Sequence, residues 1–432
     1  MNESVRQLFH TLTAATSPFH MVQEGIRQLE EAGFTQLHMN QEWSLNPGDR
    51  RYVNVYGTTL FAFKVNPGVN FHQSFRIAAA HTDWPCLRIK ANPDMKSGTY
   101  AKLNTEVYGG PIYNTWLDRP LSIAGRVALK GEDVFHPQMR LIDFQRPLLT
   151  LPNLAIHMNR EVNQGAALNQ QIDLLPLMGV FPEEKEGAEE LKFASVLAKE
   201  LQVKPEDILS FDLYVYCCES PALCGADNSM ISSPRLDNVT SCQACLNGII
   251  NGDRAEGYDV IALFDNEEVG SKTKQGADSV QLSWLLEKIL CGMGRGRSQY
   301  LTAAADSFLL SVDVAHAVHP NHIEKCDPVN QLTLRGEVAV KLSTNQRYAT
   351  DGQAIAIIEG ICRKNNIPYG EFTNRSDIPG GGTLGSLSSS WLPVLAADIG
   401  IPMLAMHSAR ELCGRDSQRN LNHLLEAYFT ET

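Results

Sequence analysis

The chain has 432 residues, of which 43% are hydrophobic and 20% are charged. This length exceeds one ordinary hydrophobic core, so we expect a main domain of ~250 residues with a second lobe. The net charge is -12 without a block of lysine and arginine, which argues against nucleic-acid binding and against an anionic membrane surface. The sequence has no run of ~18 apolar residues and no basic N-terminal stretch followed by an apolar core, so we expect a cytoplasmic protein.

The first strongly patterned segment is SPFHMVQEGIRQLEEAGF at residues 17–34. Ser17 suits a helix N-cap, Pro18 the first turn and Gly33 the end, so this segment predicts an amphipathic helix. Two strands are predicted next, in RYVNVYGTTLFAFKV at 51–65 and SFRIAAAHTD at 74–83. The second strand ends in polar residues directly after an apolar run, which is where an open α/β sheet places its ligands.

A different pattern begins near Cys86 and continues to about Ser232. It consists of short β-like runs, such as LSIAGRVAL at 121–129, and an acidic stretch at 182–201 that predicts a helix. We interpret residues 86–232 as an inserted β-rich lobe. Residues 1–85 and 233–432 then form the main domain.

Ten cysteines are present, and Cys242 and Cys245 have the C-x-x-C spacing of a zinc knuckle or a redox pair. A second C-x-x-C is missing, and the surrounding SCQACLNGII is small and apolar with helical spacing. We therefore expect buried thiols in a reducing compartment.

Three further apolar runs follow the insertion, and each ends in acids or histidines. They are separated by helical patterns, so they predict an α/β fold with a mixed, mostly parallel sheet flanked by helices. The runs are DVIALFDNEEVGS at 259–271, SFLLSVDVAHAVHP at 307–320 and PMLAMHSARE at 402–411.

Five polar segments at predicted strand ends carry the candidate chemistry. A single Asp or His at such a position is more often a cap, but five in one chain predict a shared site. Imidazole nitrogen and carboxylate oxygen suit zinc, manganese or cobalt, whereas closed structural zinc sites favour thiolates. Two divalent ions ~3.5–4 Å apart need a bridging carboxylate and further ligands on each side. The candidates are His81 with Asp83, Asp237, Glu267 with Glu268, Asp313, and His407.

Glu267 and Glu268 are adjacent, and successive side chains of an extended backbone face opposite ways. We therefore expect one to ligate a metal and the other to act as a general base. His81 and Asp83 are two residues apart and face the same side of a strand, so Asp83 can fix the tautomer of the imidazole.

Two other motifs remain open. His316, His319 and His322 fit a helical turn or a pocket wall as well as a ligand set. The segment IPGGGTLG at 378–385 lacks the Lys-Ser/Thr of a phosphate loop, so it is either a bend that offers backbone N–H groups to a substrate or a structural turn.

Seven blocks between Ser17 and Glu411 together resemble the aspartyl aminopeptidase family of dinuclear metallopeptidases: AAHTDWPCLRIK, PNLAIHMNR, SSPRLDN, DNEEVGSKTKQGADS, SVDVAHAVHPN, KLSTNQRYATDG and LAMHSARE. The resemblance implies Glu267 as general base and Asp83 as the residue that orients His81. It also implies two divalent ions, most simply Zn²⁺ with Mn²⁺ or Co²⁺ as alternatives. Their five ligands would be His81, Asp237, Glu268, Asp313 and His407, with Asp237 as the bridging carboxylate.

The resemblance also implies how substrate is held and how chains assemble. His157 would reach the active site of a neighbouring subunit, and Lys341 would contact a substrate carboxylate. The implied fold is a zinc-peptidase-like catalytic domain interrupted by a β-rich dimerisation lobe, assembled from dimers into a tetrahedral homododecamer. The sequence departs from the family at Trp84, where Ser is common, and at Asn266, where His is common.

The implied activity is removal of an acidic N-terminal residue, Asp or Glu, from peptides. Three alternatives stay open: a preference for neutral or apolar residues, another co-catalytic metal hydrolase such as a carboxypeptidase or deacylase, and a non-catalytic assembly protein. Action on substrates with a blocked amine would favour the second alternative.

Overall fold

The computed structural model describes residues 2–69, 74–181 and 192–431. By its internal contacts this part of the chain forms two compact units. The first comprises residues 2–69, 74–83, 221–406 and 411–431; the second comprises 84–181, 192–220 and 407–410. The second unit and the predicted insertion at 86–232 differ at residues 84–85, 221–232 and 407–410.

The helices of the described residues are α1 Glu3–Ala14, α2 Pro18–Glu31, α3 Phe193–Leu201, α4 Leu236–Asn251, α5 Gln281–Gly292, α6 Arg297–Ala305, α7 Gly352–Lys364, α8 Leu384–Trp391 and α9 Arg415–Tyr428. Among them, none is both long enough and apolar enough to cross a bilayer.

The strands are β1 Thr35–Gln36, β2 Arg50–Val55, β3 Thr59–Val65, β4 Phe75–His81, β5 Cys86–Ser97, β6 Tyr100–Tyr108, β7 Leu121–Leu129, β8 Gln138–Asp143, β9 Leu177–Val180, β10 Ile208–Cys217, β11 Ala222–Cys224, β12 Met230–Ser233, β13 Tyr258–Phe264, β14 Phe308–Val312, β15 Ala315–His316, β16 Val338–Leu342, β17 Tyr369–Thr373, β18 Leu395–Gly400, β19 Pro402–Leu404 and β20 Glu411–Gly414.

The first unit is built on a nine-stranded sheet in the order β1-β2-β3-β13-β4-β14-β18-β16-β17. Its centre is parallel, because β4 pairs with both β13 and β14, and β14 pairs with β18. Antiparallel pairings of β3 with β2 and β13, and of β16 with β18, make the sheet mixed. The predicted α/β fold with a mixed sheet is therefore confirmed.

Helices cover the central strands, which explains their continuous apolar sequences. Every residue of β3 and β13 is buried. Leu285 and Ile289 of α5 share a core cluster with Phe75 and Val260, and α4 packs against β4 and β13. Strands buried on both faces carry few polar side chains along their length. Polar groups of the candidate site, among them His81 and Asp313, lie at the ends of such strands or directly after them.

The helix predicted within residues 17–34 is confirmed as α2. The Ser17 hydroxyl accepts the N–H of His20 at the helix N-terminus, and Pro18 occupies the first turn. Gly33 follows the helix with a φ of 84°, a conformation that glycine adopts without steric cost.

The second unit contains a six-stranded sheet in the order β8-β7-β10-β5-β6-β9. All neighbouring strands in it are antiparallel. LSIAGRVAL forms β7, as predicted. Within the acidic stretch at 182–201, residues 193–201 form α3, and residues 182–191 lie outside the described residues.

The third sheet of the protein belongs to the first unit and has five strands in the order β11-β12-β20-β19-β15. The prediction that PMLAMHSARE supplies a strand of the main sheet is wrong, because Pro402–Leu404 forms β19 of this smaller sheet. The preceding strand β18 is the one that pairs with β14. The chain changes sheets at Gly400, where a Cβ would lie 1.7 Å from the Asp313 carbonyl oxygen.

Candidate metal centre

The parallel register of three central strands brings their polar ends to one edge of the sheet. Phe264 pairs with His81 across β13 and β4, and Ser311 pairs with Ala79 across β14 and β4. Because the three strands run in the same direction, the residues that follow them lie at a common edge. Asp313 follows β14 directly, and the Glu267–Val269 3₁₀ turn follows β13.

His81, the last residue of β4, is buried at the centre of the candidate site. Its Nδ1 lies 3.0 Å from the carbonyl oxygen of Asp83. A carbonyl oxygen only accepts, so Nδ1 donates to it, and Nε2 is the nitrogen that faces the site's carboxylates. Nε2 lies 3.4 Å from Asp237 Oδ1 and 3.5 Å from Asp313 Oδ1. The imidazole is thus oriented as a metal ligand.

Asp237 occupies the first turn of α4, not a strand end as the sequence pattern suggests. Residues 234–236 separate it from β12, and its φ and ψ of -82° and 105° are not helical. Its backbone N–H donates to Glu411 Oε2 at 3.0 Å, and the peptide bond to Asn238 is cis. The side-chain amide of Asn238 donates to the Val312 carbonyl at 3.0 Å, which ties this turn to the strand before Asp313.

Asp313 is held from its backbone and from its side chain. Its N–H donates to the Ile399 carbonyl at 2.8 Å. The Lys341 ammonium lies 3.6 Å from Asp313 Oδ2 and donates to the carbonyl of Val314 at 2.9 Å. Burial disfavours the charged lysine, but Asp313 and nearby carboxylates outweigh burial and raise the pKa of Lys341. The substrate contact predicted for Lys341 stays a prediction; the contact observed in this structure is with Asp313.

Glu267 and Glu268 lie on a 3₁₀ turn, so the premise of an extended backbone was wrong. The turn lets both carboxylates approach the same imidazole. Burial is the largest influence on the Glu267 carboxyl and raises its pKa. The His81 imidazole lowers that pKa and the Asp313 carboxylate raises it, and the resulting pKa is about 7. Glu267 can therefore accept and return a proton near neutral pH.

Asp83 supports both His81 and the glutamate turn. Its carbonyl receives the His81 Nδ1 proton, while its carboxylate Oδ1 lies 3.5 Å from that nitrogen. The two carboxylate oxygens accept the backbone N–H groups of Glu267 and Glu268, each at 3.2 Å. Holding the turn is a role that the sequence pattern did not indicate.

Within the first unit, two groups of side chains bring potential ligand atoms within 4.8 Å of one another: His81 with Asp237 and Asp313, and His81 with Glu267 and Glu268. Imidazole nitrogen with carboxylate oxygen suits zinc, manganese or cobalt. Buried and half-buried carboxylates so close together repel one another unless a cation is shared between them. These residues fit a divalent metal site of catalytic type.

The cysteines near this site are not ligands. Cys242 donates its S–H to the His81 carbonyl at 3.0 Å, and burial raises its thiol pKa to about 12. A protonated thiol does not bind zinc. Cys242 and Cys245 are both buried free cysteines of α4, as predicted.

His407 lies in the second unit, where its Nδ1 is 3.1 Å from the Gly110 carbonyl oxygen. Its own carbonyl accepts the N–H of Ile112 at 3.0 Å. The Nδ1 contact orients this ring by the same device as in His81. The metal-ligand role of His407 remains a prediction.

His157 also belongs to the second unit and lies in an exposed turn. The adjacent Ile156 and Met158 are exposed as well, Met158 to 74%. Its predicted contact with a neighbouring subunit's substrate remains a prediction.

The two departures from the family pattern occupy buried positions. Asn266 begins the glutamate turn with a φ of 63°, a left-handed conformation that asparagine tolerates better than most residues. Its side-chain oxygen accepts the Thr273 hydroxyl at 2.9 Å. Trp84 is buried in the second unit.

Sequence reasoning missed Glu411 as part of the site. This buried carboxylate is the last residue of the LAMHSARE block, in which the pattern indicated only His407 as a site residue. Its bond to the Asp237 N–H depends on the pairing of β20 with β12, in which Glu411 is opposite Ser233. A single acidic residue after a histidine gave no local sign of that pairing.

Comparisons with known proteins show what the chain is similar to. The family described as "Aminopeptidase I zinc metalloprotease (M18)" matches residues 11–429. The chain is 43% identical over 411 residues to "Probable M18 family aminopeptidase 2" of Clostridium novyi (strain NT), covering 95% of this chain and 94% of the relative.

Solved structures agree in fold. A chain of the cryo-EM structure of the Ape4 and Nbr1 complex has a TM-score of 0.94 at 30% identity, covering 99% of this chain and 85% of that chain. The mApe1 dodecamer of S. cerevisiae has a TM-score of 0.86 at 22% identity, covering 99% and 96%.

Proposed function

The chain belongs to the M18 family of zinc aminopeptidases, and from this premise we propose that it removes the first residue of peptides using two divalent metal ions and Glu267 as general base. Membership confirms the family and the metallo-aminopeptidase class predicted from the sequence. The observation that carries the mechanism is the convergence of His81 with four carboxylates: Asp237, Glu267, Glu268 and Asp313.

We assign five side chains to the metals, with Asp237 as the bridge: His81, Asp237, Glu268, Asp313 and His407. For His81, the assignment is supported by an Nε2 atom directed at Asp237 and Asp313. For His407 it rests on the family resemblance and on the carbonyl that orients its ring. Two bound divalent ions would lower the pKa of a water molecule and favour negative charge on the carbonyl oxygen.

Glu267 moves the proton in the proposed reaction. Its carboxylate takes a proton from the attacking water and delivers it to the peptide nitrogen as the C–N bond breaks. The pKa of about 7 supports this assignment, because a base of that pKa both accepts and releases protons at neutral pH. Asp83 positions Glu267 through the backbone of its turn.

Substrate recognition is proposed from the resemblance. Asp or Glu at the peptide N-terminus is the expected preference, with Lys341 and the His157 of a neighbouring subunit as substrate contacts. The family also supports zinc as the metal. A cytoplasmic location is part of the same proposal.

We propose a homododecamer built from dimers through the second unit, whose surface supports association. Met158 and Ile172 are exposed to 74% and 70%, and Leu154 and Ile156 are also exposed. Exposed apolar side chains concentrated on one segment mark interaction surfaces. The related S. cerevisiae mApe1 structure is a dodecamer.

The proposed function is tested with a panel of peptides that differ in their first residue, each with a free and an acetylated amine. Release of the first residue should need the free amine, stop on chelation, and return on adding zinc, manganese or cobalt. Asp and Glu substrates should be cleaved fastest, and elemental analysis should find two ions per chain.

The outcomes separate the parts of the proposal. No chelator-sensitive release would refute the aminopeptidase activity. Faster cleavage of leucine substrates would refute only the acidic preference. One ion per active chain would refute only the two-metal mechanism.

A further inference from the structure

Asp398 is a wholly buried carboxylate on β18, beside the strand that leads to Asp313. Its Oδ2 accepts the Ala349 N–H at 2.6 Å, and its Oδ1 accepts the Thr383 hydroxyl. The Ser311 hydroxyl of β14 is a third donor. One carboxylate therefore joins the metal-ligand strand to the segments that precede α7 and α8.

The start of α8 is packed directly on this carboxylate. The Gly385 N–H donates to the Ser311 hydroxyl at 3.0 Å. A Cβ on Gly385 would lie only 2.6 Å from Asp398 Oδ2, so the helix approaches too closely for any side chain. The glycine-rich segment at 378–385 therefore ends on Asp398 and serves at least as an anchored bend.

The two anchored segments also wall one cavity. Residues 342–345 with Arg347 form one lining segment of a space of about 640 Å³, and residues 373–380 form another. Ala349 follows the first wall by two residues, and Thr383 follows the second by three. Asp398 thus holds both walls near their ends.

Lys341 lies directly opposite Asp398 in the antiparallel pair of β16 and β18. Side chains paired in this way project from the same face, with Cβ atoms ~4.5–5.5 Å apart. The ammonium of Lys341 reaches the Asp313 carboxylate at 3.6 Å. The buried lysine therefore lies near two carboxylates, of which Asp313 is within ion-pair distance and is a proposed metal ligand.

We propose that Asp398 is a positioning residue for peptide hydrolysis, which fixes Lys341 beside Asp313 and anchors both walls of the adjacent cavity. This inference rests on the proposed function, because it takes Asp313 and Lys341 to act in that reaction. Asp398 is not one of the proposed metal ligands or substrate contacts.

The direct test is Asp398→Asn, which keeps the shape of the side chain but removes the charge that faces Lys341. The expected result is a 10–100-fold loss of kcat/KM, mainly through a higher KM, with the zinc content of the wild-type enzyme. Thr383→Val removes a single hydroxyl from the same carboxylate. It should raise KM by a smaller factor, and it keeps the test decisive should Asp398→Asn fail to fold.

Asp259→Asn is the matched control. Asp259 is also wholly buried and lies on β13 of the same sheet, but it bonds to Arg254 and Asn66 near the start of that strand. This variant should lose thermal stability without a change in KM. A general response to losing a buried charge would raise KM in both aspartate variants and would contradict our proposal.

Hydrogen exchange supplies a readout that does not depend on activity. Peptides covering 343–350 and 378–385 should exchange faster in Asp398→Asn and Thr383→Val than in Asp259→Asn. Unchanged exchange in these peptides, KM within twofold of wild type, or loss of zinc would each overturn the role of Asp398. A wild-type enzyme that cleaves no peptide would instead overturn the proposed function.

Discussion

At the scale of single residues, Glu267 shows how a backbone turn positions the proposed general base. The left-handed conformation of Asn266 begins the turn, and the Asp83 carboxylate holds two of its N–H groups. The Glu267 carboxylate then lies among His81 and other acids, where burial raises its pKa. An exposed glutamate would stay ionised at neutral pH and would be a weaker base.

We predict that Glu267→Gln lowers kcat by about 10²–10⁴-fold, because the amide cannot accept the proton of the attacking water. Its zinc content should match that of the wild type, since Glu268 is the assigned ligand of the pair. Steady-state kinetics and elemental analysis check both statements. The exposed Glu42 supplies a control, and Glu42→Gln should leave kcat unchanged. A Glu267→Gln enzyme that keeps its metals and its full kcat would exclude Glu267 as the base.

At the scale of elements, the position of Asp237 depends on how α4 packs. Asp237 lies in the first turn of α4, and this helix packs against α9 as well as against β4 and β13. The helices approach each other closely at Gly248, where a Cβ would lie 2.7 Å from the Leu425 Cβ and 2.9 Å from its carbonyl oxygen. This contact leaves no room for a methyl group.

We predict that Gly248→Ala lowers the free energy of unfolding by about 1–3 kcal/mol, because the added methyl group separates α4 from α9. Gly360→Ala is the matched control, since Gly360 lies within α7 and a Cβ there meets no atom within 4 Å. Alanine favours a helix over glycine by up to about 1 kcal/mol, so the control should be neutral or more stable. Urea unfolding of the zinc-loaded proteins measures both. Equal changes of the free energy of unfolding in the two variants would contradict a destabilising contact at Gly248.

At the scale of the whole molecule, the proposed assembly makes each active site depend on another chain. His157 lies in an exposed turn among exposed apolar residues, a setting that suits contact with a second copy of the chain. An interface between identical chains exchanges the same residues in both directions. A site that borrows His157 is therefore complete only in the oligomer.

We predict that mixtures of two inactive variants regain activity. His157→Ala and Glu267→Gln should each be nearly inactive alone. After dissociation and reassembly together, some sites would combine the Glu267 of one chain with the His157 of its neighbour. Kinetic assay of mixed and unmixed samples, with size-exclusion chromatography of each, measures the effect. Recovery no greater than the sum of the separate variants would place His157 outside the neighbouring site.

Local sequence patterns determined much of this protein. The period and caps of residues 17–34 predict α2, and the buried runs before His81 and Asp313 predict β4 and β14, because two-sided burial demands continuous apolar residues. The same runs predicted that His81, Asp313 and the glutamate pair share an edge, since parallel strands end together. The ordered blocks also identified the family.

Only the tertiary structure decided the remaining features. Three features depend on contacts between distant segments: the turn that brings Glu267 and Glu268 to His81, the helical position of Asp237, and the separate sheet of β19. Glu411 and Asp398 owe their roles to strand pairings in which Glu411 faces Ser233 and Asp398 faces Lys341. Sequence periodicity reports which face of an element is buried, but it carries no information about which distant strand lies beside it.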